Sequence, residues 1–132
     1  MSGDPVTLGH AFPDHACGRI DEAQVAAYAV ASGDDNPIHT DEAAARRIGL
    51  DGPIIQGMLL MALADRALAA WLPGCACRRL STRFARPAPT GSEVVVTGRV
   101  VAVGEDGETT LRIMVKDAGG ALLAMAEAVV AR

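Results

Sequence analysis

Aromatic side chains are nearly absent: two Phe, one Tyr and one Trp make up 3% of 132 residues, although half of the chain is hydrophobic. A core without large rings has to be assembled from Ala, Val, Leu, Ile and Met, which calls for long regular elements rather than a few bulky anchors. Cysteine is equally scarce. Cys17, Cys75 and Cys77 are odd in number and form no CxxC pair, and no His cluster stands beside them, so neither a disulfide framework nor a structural zinc is expected. No run of Lys or Arg reaches the length of a nucleic-acid or anionic-membrane patch, and the formal net charge is −4. Nucleic acid and membrane are therefore not expected as partners. The longest apolar segment, Met58 to Leu72, is broken by Asp65 and Arg66 and is short for a bilayer span. "MSGDPVTLGHAF" has neither the basic start nor the apolar run of a signal peptide, so the expectation is a soluble cytoplasmic protein.

The length suits one domain with its own core, and no repeat, low-complexity tract or linker divides it; residues 1–132 are read as a single unit. After a short strand around Val6 to Phe12, "DEAQVAAYAVAS" opens with Asp21 as N-cap and has Gln24 three residues on. That is a capping-box pattern, and Gly33 supplies the stop. "TDEAAARRIG" repeats the scheme with a Thr40 or Asp41 cap, acids in its first turn, arginines in its last and Gly49 beyond. In "GMLLMALADRALAAWLPG" apolar residues occupy almost every angle of the helical wheel before Pro73 and Gly74 end it, so this helix is expected to be surrounded by protein.

The second half supplies the wrapping. "EVVVTGRVVAV" places Val94, Val96, Gly98, Val100 and Ala102 on one face, "TTLRIMVKD" does the same with Leu111, Ile113 and Val115, and "ALLAMAEAVVA" reads as a third strand. The Asp-Gly of "GEDGE" and the Gly-Gly of "DAGGA" mark hairpin turns between them, and "RRLSTRFARP" reads as a further strand. The resulting fold class is α+β: an antiparallel sheet wrapped around a long central helix, which describes the hot-dog fold. Strand order does not follow from the pattern.

The chemistry concentrates in "SGDDNPIHTD", Ser32 to Asp41, where the first helix stops and the second starts. Asp34, Asn36 and His39 surround Pro37, and two readings stand. The side chains cap helix ends and satisfy loop amides. Alternatively, Asp34 and His39 converge as an acid/base pair, because His accepts a proton near neutral pH and a carboxylate orients or shares it. "GPIIQGM" places Gly57 at the mouth of the apolar helix, where unpaired N–H groups and the helix dipole stabilise a developing oxyanion. Gly52 and Gly57 are equally readable as turn and close-packing residues. Asp65 and Arg66 are either a structural pair or, for Asp65, part of a pocket. Arg78, Arg79, Arg83 and Arg86 are either a solvated strand face or a phosphate-attracting one.

The stretch "YAVASGDDNPIHTDEAAARRIGLDGPIIQGM", Tyr28 to Met58, resembles the signature of the MaoC-like dehydratases, which include the (R)-specific enoyl-CoA hydratases. Their pattern joins S-G-D-x-N-P-x-H-x-D to A-x-x-x-G and P-I-x-H-G-M, and "RFARPAPTGSEVVV" is similar to the segment that follows. The resemblance implies the hot-dog fold and a hydro-lyase acting on a 2-enoyl or 3-hydroxyacyl thioester of coenzyme A or acyl-carrier protein. It implies Asp34 and His39 as the catalytic pair, the Gly57 N–H as the thioester-carbonyl donor, and Asn36 and Pro37 as shapers of the loop. No metal or redox cofactor is implied. Related hot-dog domains pair their sheets edge to edge, so a homodimer or higher homo-oligomer is expected. Gln56 departs from the pattern, which has His there. Gln hydrogen-bonds but carries no proton at neutral pH, and this keeps a non-catalytic acyl-thioester binding module in view. A hot-dog thioesterase shares the fold but has no use for D-x-N-P-x-H.

Overall fold

A computed structural model describes residues 7–131. Its elements in chain order are β1 (His15–Arg19), α1 (Glu22–Ser32), a 3-10 turn (Pro37–His39), α2 (Glu42–Arg47), α3 (Gly57–Trp71), β2 (Ala76–Phe84), β3 (Glu93–Val103), β4 (Thr109–Asp117) and β5 (Leu122–Ala131). The strands form one antiparallel sheet in the order β1-β3-β4-β5-β2. β3, β4 and β5 make the expected meander through the turns containing Gly107 and Gly120, both in the left-handed region that their turns require. β2 then closes one side against β5, and β1 closes the other against β3.

The sheet's inner face is built as the alternation predicts. Val94, Val96, Val100, Leu111, Ile113 and Val115 are all fully buried. On β5 the inward positions include Ala124, Ala126 and Ala128, small enough for α3 to lie close. Leu60, Leu63, Ala64, Ala67 and Leu68 of α3 fill the space above them. Close approach by many small side chains replaces the missing aromatic anchors. Two of the few rings meet at the far end of α3, where Phe12 stacks on Trp71 with centroids 5.1 Å apart and Trp71 Nε1 donates to the Pro13 carbonyl. Gly98 lies beneath that indole, and a Cβ there would collide with it.

Three expectations are corrected. The strand read around 6–12 is instead a bridging segment: Ala11 pairs with Arg99, and the Gly9 and Phe12 amides donate to the Val100 and Gly98 carbonyls. Pro13, which has no N–H, separates this segment from β1, and Val6 lies outside the described residues. Ala102 leaves the buried face because β3 shifts register between Val100 and Ala102. Finally, the sheet covers only one side of α3. Met58, Ala62, Asp65, Arg66, Ala69 and Ala70 remain exposed, so the all-apolar wheel does not have protein on every side within this chain. Among the described residues, no helix is long and apolar enough to cross a membrane.

Candidate active site

The polar turn is a chain of local hydrogen bonds. α1 begins with the capping box of Asp21 and Gln24 and ends at Gly33 in the left-handed region. Directly after it, the Asp34 amide donates to Ser32 Oγ, and Asp34 Oδ1 accepts from the Asn36 amide at 3.2 Å. Asn36 Oδ1 accepts from the Ile38 amide and so caps the 3-10 turn, whose first residue is Pro37. Asp41, rather than Thr40, caps α2 by accepting from the Ala43 and Ala44 amides.

Capping and chemistry then prove compatible, because the same bonds aim two side chains at one another. With Oδ1 of Asp34 held by Asn36, its Oδ2 lies 3.4 Å from His39 Nε2. His39 is buried, at 8% exposure, whereas the Asp34 side chain keeps 40%. The other imidazole nitrogen, Nδ1, is 2.8 Å from the Ile54 carbonyl. A carbonyl only accepts, so Nδ1 carries a hydrogen, and whenever the ring is neutral its Nε2 lone pair is turned towards Asp34. Two acceptors facing each other at that distance need a proton or a water between them.

The segment after Ile54 leads into α3. The Ile54 amide donates to Ile38, the Ile55 amide to Ala88, and the Thr90 amide to Pro53, so the loop is pinned from both sides. Ile54 precedes Gly57 by three residues, which bounds the separation between the imidazole's anchor and the start of α3 to about 10 Å. Gln56 is the N-cap of α3, but its side chain makes no capping bond. It is fully buried and turned aside, with Nε2 donating to the Val25 carbonyl of α1 at 2.9 Å and Oε1 left without a partner. Among the described residues the Gly57 and Met58 amides consequently have no acceptor, at the positive end of a 15-residue helix. The Phe84 ring, about half exposed, sits over Gly57: a Cβ on Gly57 would stand 3.2 Å from two ring carbons.

The structure therefore brings Asp34 and His39 together, with Asn36 and Pro37 beneath them and Gly57 a short loop away. Asp65 does not join them. It stands two turns along α3, about 12 Å from Gly57 along the axis, on the exposed side; solvent there removes the reason to read it as a buried acid in need of a pocket or a partner. Its carboxylate lies instead near Cys77. Arg78, Arg79, Arg83 and Arg86 are all exposed, and Arg78 pairs with Glu108 at 3.9 Å. Phe84 and the backbone carbonyls of Ile54 and Val25 went unread in the sequence. Carbonyls leave no trace in residue types, and Phe84 was visible only as part of a motif.

The family description "MaoC like domain" matches residues 5–118. The chain belongs to the MaoC-like dehydratase family. It is 40% identical over 115 residues to the (R)-specific enoyl-CoA hydratase of Aeromonas caviae, covering 85% of this chain and 86% of that one. The solved A. caviae (R)-hydratase superposes with a TM-score of 0.88 at 35% identity, covering 98% of both chains, so the hot-dog fold is shared throughout. A mitochondrial 3-hydroxyacyl-[acyl-carrier-protein] dehydratase of Arabidopsis thaliana is 32% identical over 81 residues, 61% of this chain and 49% of that protein. This MaoC-like chain thus spans about half the length of the plant enzyme and most of the bacterial one.

Proposed function

We propose that this MaoC-like protein is a hydro-lyase that reversibly adds water to a trans-2-enoyl thioester, giving an (R)-3-hydroxyacyl thioester of coenzyme A or acyl-carrier protein. The observation that carries the reading is the facing of His39 Nε2 and Asp34 Oδ2 at 3.4 Å, with the imidazole's other nitrogen committed to a carbonyl. A water that donates one hydrogen to each acceptor has its oxygen lone pairs free to attack C3. As that C–O bond forms, the pair takes a proton from the water, electrons shift into the thioester carbonyl, and the pair returns a proton to C2 as the carbonyl re-forms, which completes the addition. Water, enoyl thioester and product balance with no redox change, and dehydration is the same path reversed.

The thioester oxygen gains charge during attack, and the free Gly57 and Met58 amides are the donors suited to it. General acid/base groups contribute about 10² to 10⁴ fold and an oxyanion donor about 10² to 10³ fold. Asn36 and Pro37 hold the turn, and Gln56 holds the start of α3 against α1 without capping it. Met58 and Phe84, both half exposed, supply apolar surface beside Gly57 for the acyl chain. The protein acts in the cytoplasm and as a homodimer, the second part of the reading being supported by the uncovered side of α3 and the open edge of β2.

Incubation with crotonyl-CoA tests the proposal. Loss of the enoyl absorbance without release of free thiol is the expected result. Thiol release in its place would make the protein a thioesterase, and tight binding with neither change would make it a binding module.

A further inference from the structure

The sheet has a second face, turned away from α3, and its chemistry is unused by the reaction above. On β3 and β4 the residues flanking Arg99 and Arg112 are buried, so strand alternation sends both arginines outwards. They are direct cross-strand partners. Like charges in that relation oppose strand pairing, whereas opposite charges support it. Among the described residues, no carboxylate lies within 4.0 Å of Arg99, Arg112 or Lys116. These three line a groove of about 470 Å³ floored by Thr97, Val101 and Met114. Arg112 also borders an adjoining groove that holds Arg83. Four cations thus share this face with two carboxylates, Asp14 and Glu127, in a chain whose net charge is −4. Glu127 stands opposite Arg112 on β5, beyond ion-pair distance, whereas Arg99 has Ala11 on its other side, so one carboxylate faces the pair and a surplus of positive charge remains. A local rule broken with only partial compensation points to a ligand that supplies the rest.

We propose that this groove binds a compact polyanion with two linked phosphoryl groups, such as the pyrophosphate unit of a nucleotide or of coenzyme A. Two guanidinium forks side by side match phosphoryl oxygens in bidentate fashion, and the Lys116 ammonium adds a point charge at one end. The groove is separate from the Asp34–His39 pair. It includes Gly98, which lies under Trp71 at the opposite end of α3 from Gly57, about 21 Å along the helix. Phosphate binding here does not depend on the thioester chemistry being correct.

Calorimetric titration of the full chain with inorganic pyrophosphate, ADP and coenzyme A, at low and at physiological salt, tests the proposal. Pyrophosphate is expected to bind, more weakly as salt rises, and the double variant Arg99→Ala/Arg112→Ala to bind it at least tenfold more weakly at an unchanged or higher melting temperature. Coenzyme A binding that is lost in the double variant, with no ADP binding, assigns the groove to the carrier of the thioester. Equal binding of ADP assigns it to a free nucleotide. No pyrophosphate binding at low salt, or binding that survives the double substitution, overturns the proposal.

Discussion

Gln56 shows how much one buried side chain can decide. Its amide nitrogen serves the Val25 carbonyl, and its burial fixes the orientation, because a flipped amide would set two oxygens against each other. Gln56→His keeps a ring N–H for Val25 and is expected to leave the fold intact and hydration equal to or above the parent rate. Gln56→Glu places a carboxylate against that carbonyl, and its cost is several kcal/mol when ionised. Burial raises the pKa of such an acid, so the variant's deficit should grow as pH rises from about 5 to 8. Thermal melts across that range check the sign; a flat profile would contradict the geometry. The cysteines give a second test. Cys77 is exposed, but partial desolvation by its surroundings still raises its thiol above the ordinary value of 9.0, with the Asp65 carboxylate adding to the shift. Burial does the same for Cys17, partly offset by Arg66. Alkylation by iodoacetamide at pH 7 to 8 should therefore be slower at half-buried Cys17 than at exposed Cys77, and labelling of Cys17 as fast as Cys77 would refute the assignment.

At the scale of elements, the sequence was most legible where a local rule governs. Asp21, Gln24 and Gly33 bound α1 where capping chemistry puts them, and the alternation of Val94, Val96 and Val100 identified the buried face. It was least legible where a bond crosses the fold. Nothing local reveals that β3 shifts register before Ala102, or that α3 keeps one side uncovered. The site divides in the same way. Asp34 and His39 were readable as a pair, but the Ile54 carbonyl that sets the imidazole tautomer belongs to another segment. Gly98 tests the packing directly. Gly98→Ala drives a Cβ into the Trp71 ring and should lower stability by about 1–3 kcal/mol, whereas Gly52→Ala, with open space around its Cβ and no left-handed backbone, should change it little. Equal denaturation midpoints for the two variants would show that α3 does not seat on the sheet at that point.

For the whole molecule, a curved sheet with open edges and a helix exposed on one side presents unfinished surfaces at both places where a second copy can add to it. Sedimentation at micromolar concentration should show a dimer or larger assembly, and a monomer would contradict the homodimer proposed above. The central claim is that the turn from Ser32 to Asp41 folds as it does in order to hold water between Asp34 and His39 for addition to a thioester activated at Gly57. Enoyl hydration by Asp34→Asn, His39→Ala and the double variant, with melting temperatures recorded alongside, tests it most directly. Each single variant should melt like the parent and lose about 10² fold or more in turnover, and the double variant should be little worse than the weaker single, because the two groups act as one unit. Folded variants that hydrate as fast as the parent would contradict the account and leave the turn as helix capping.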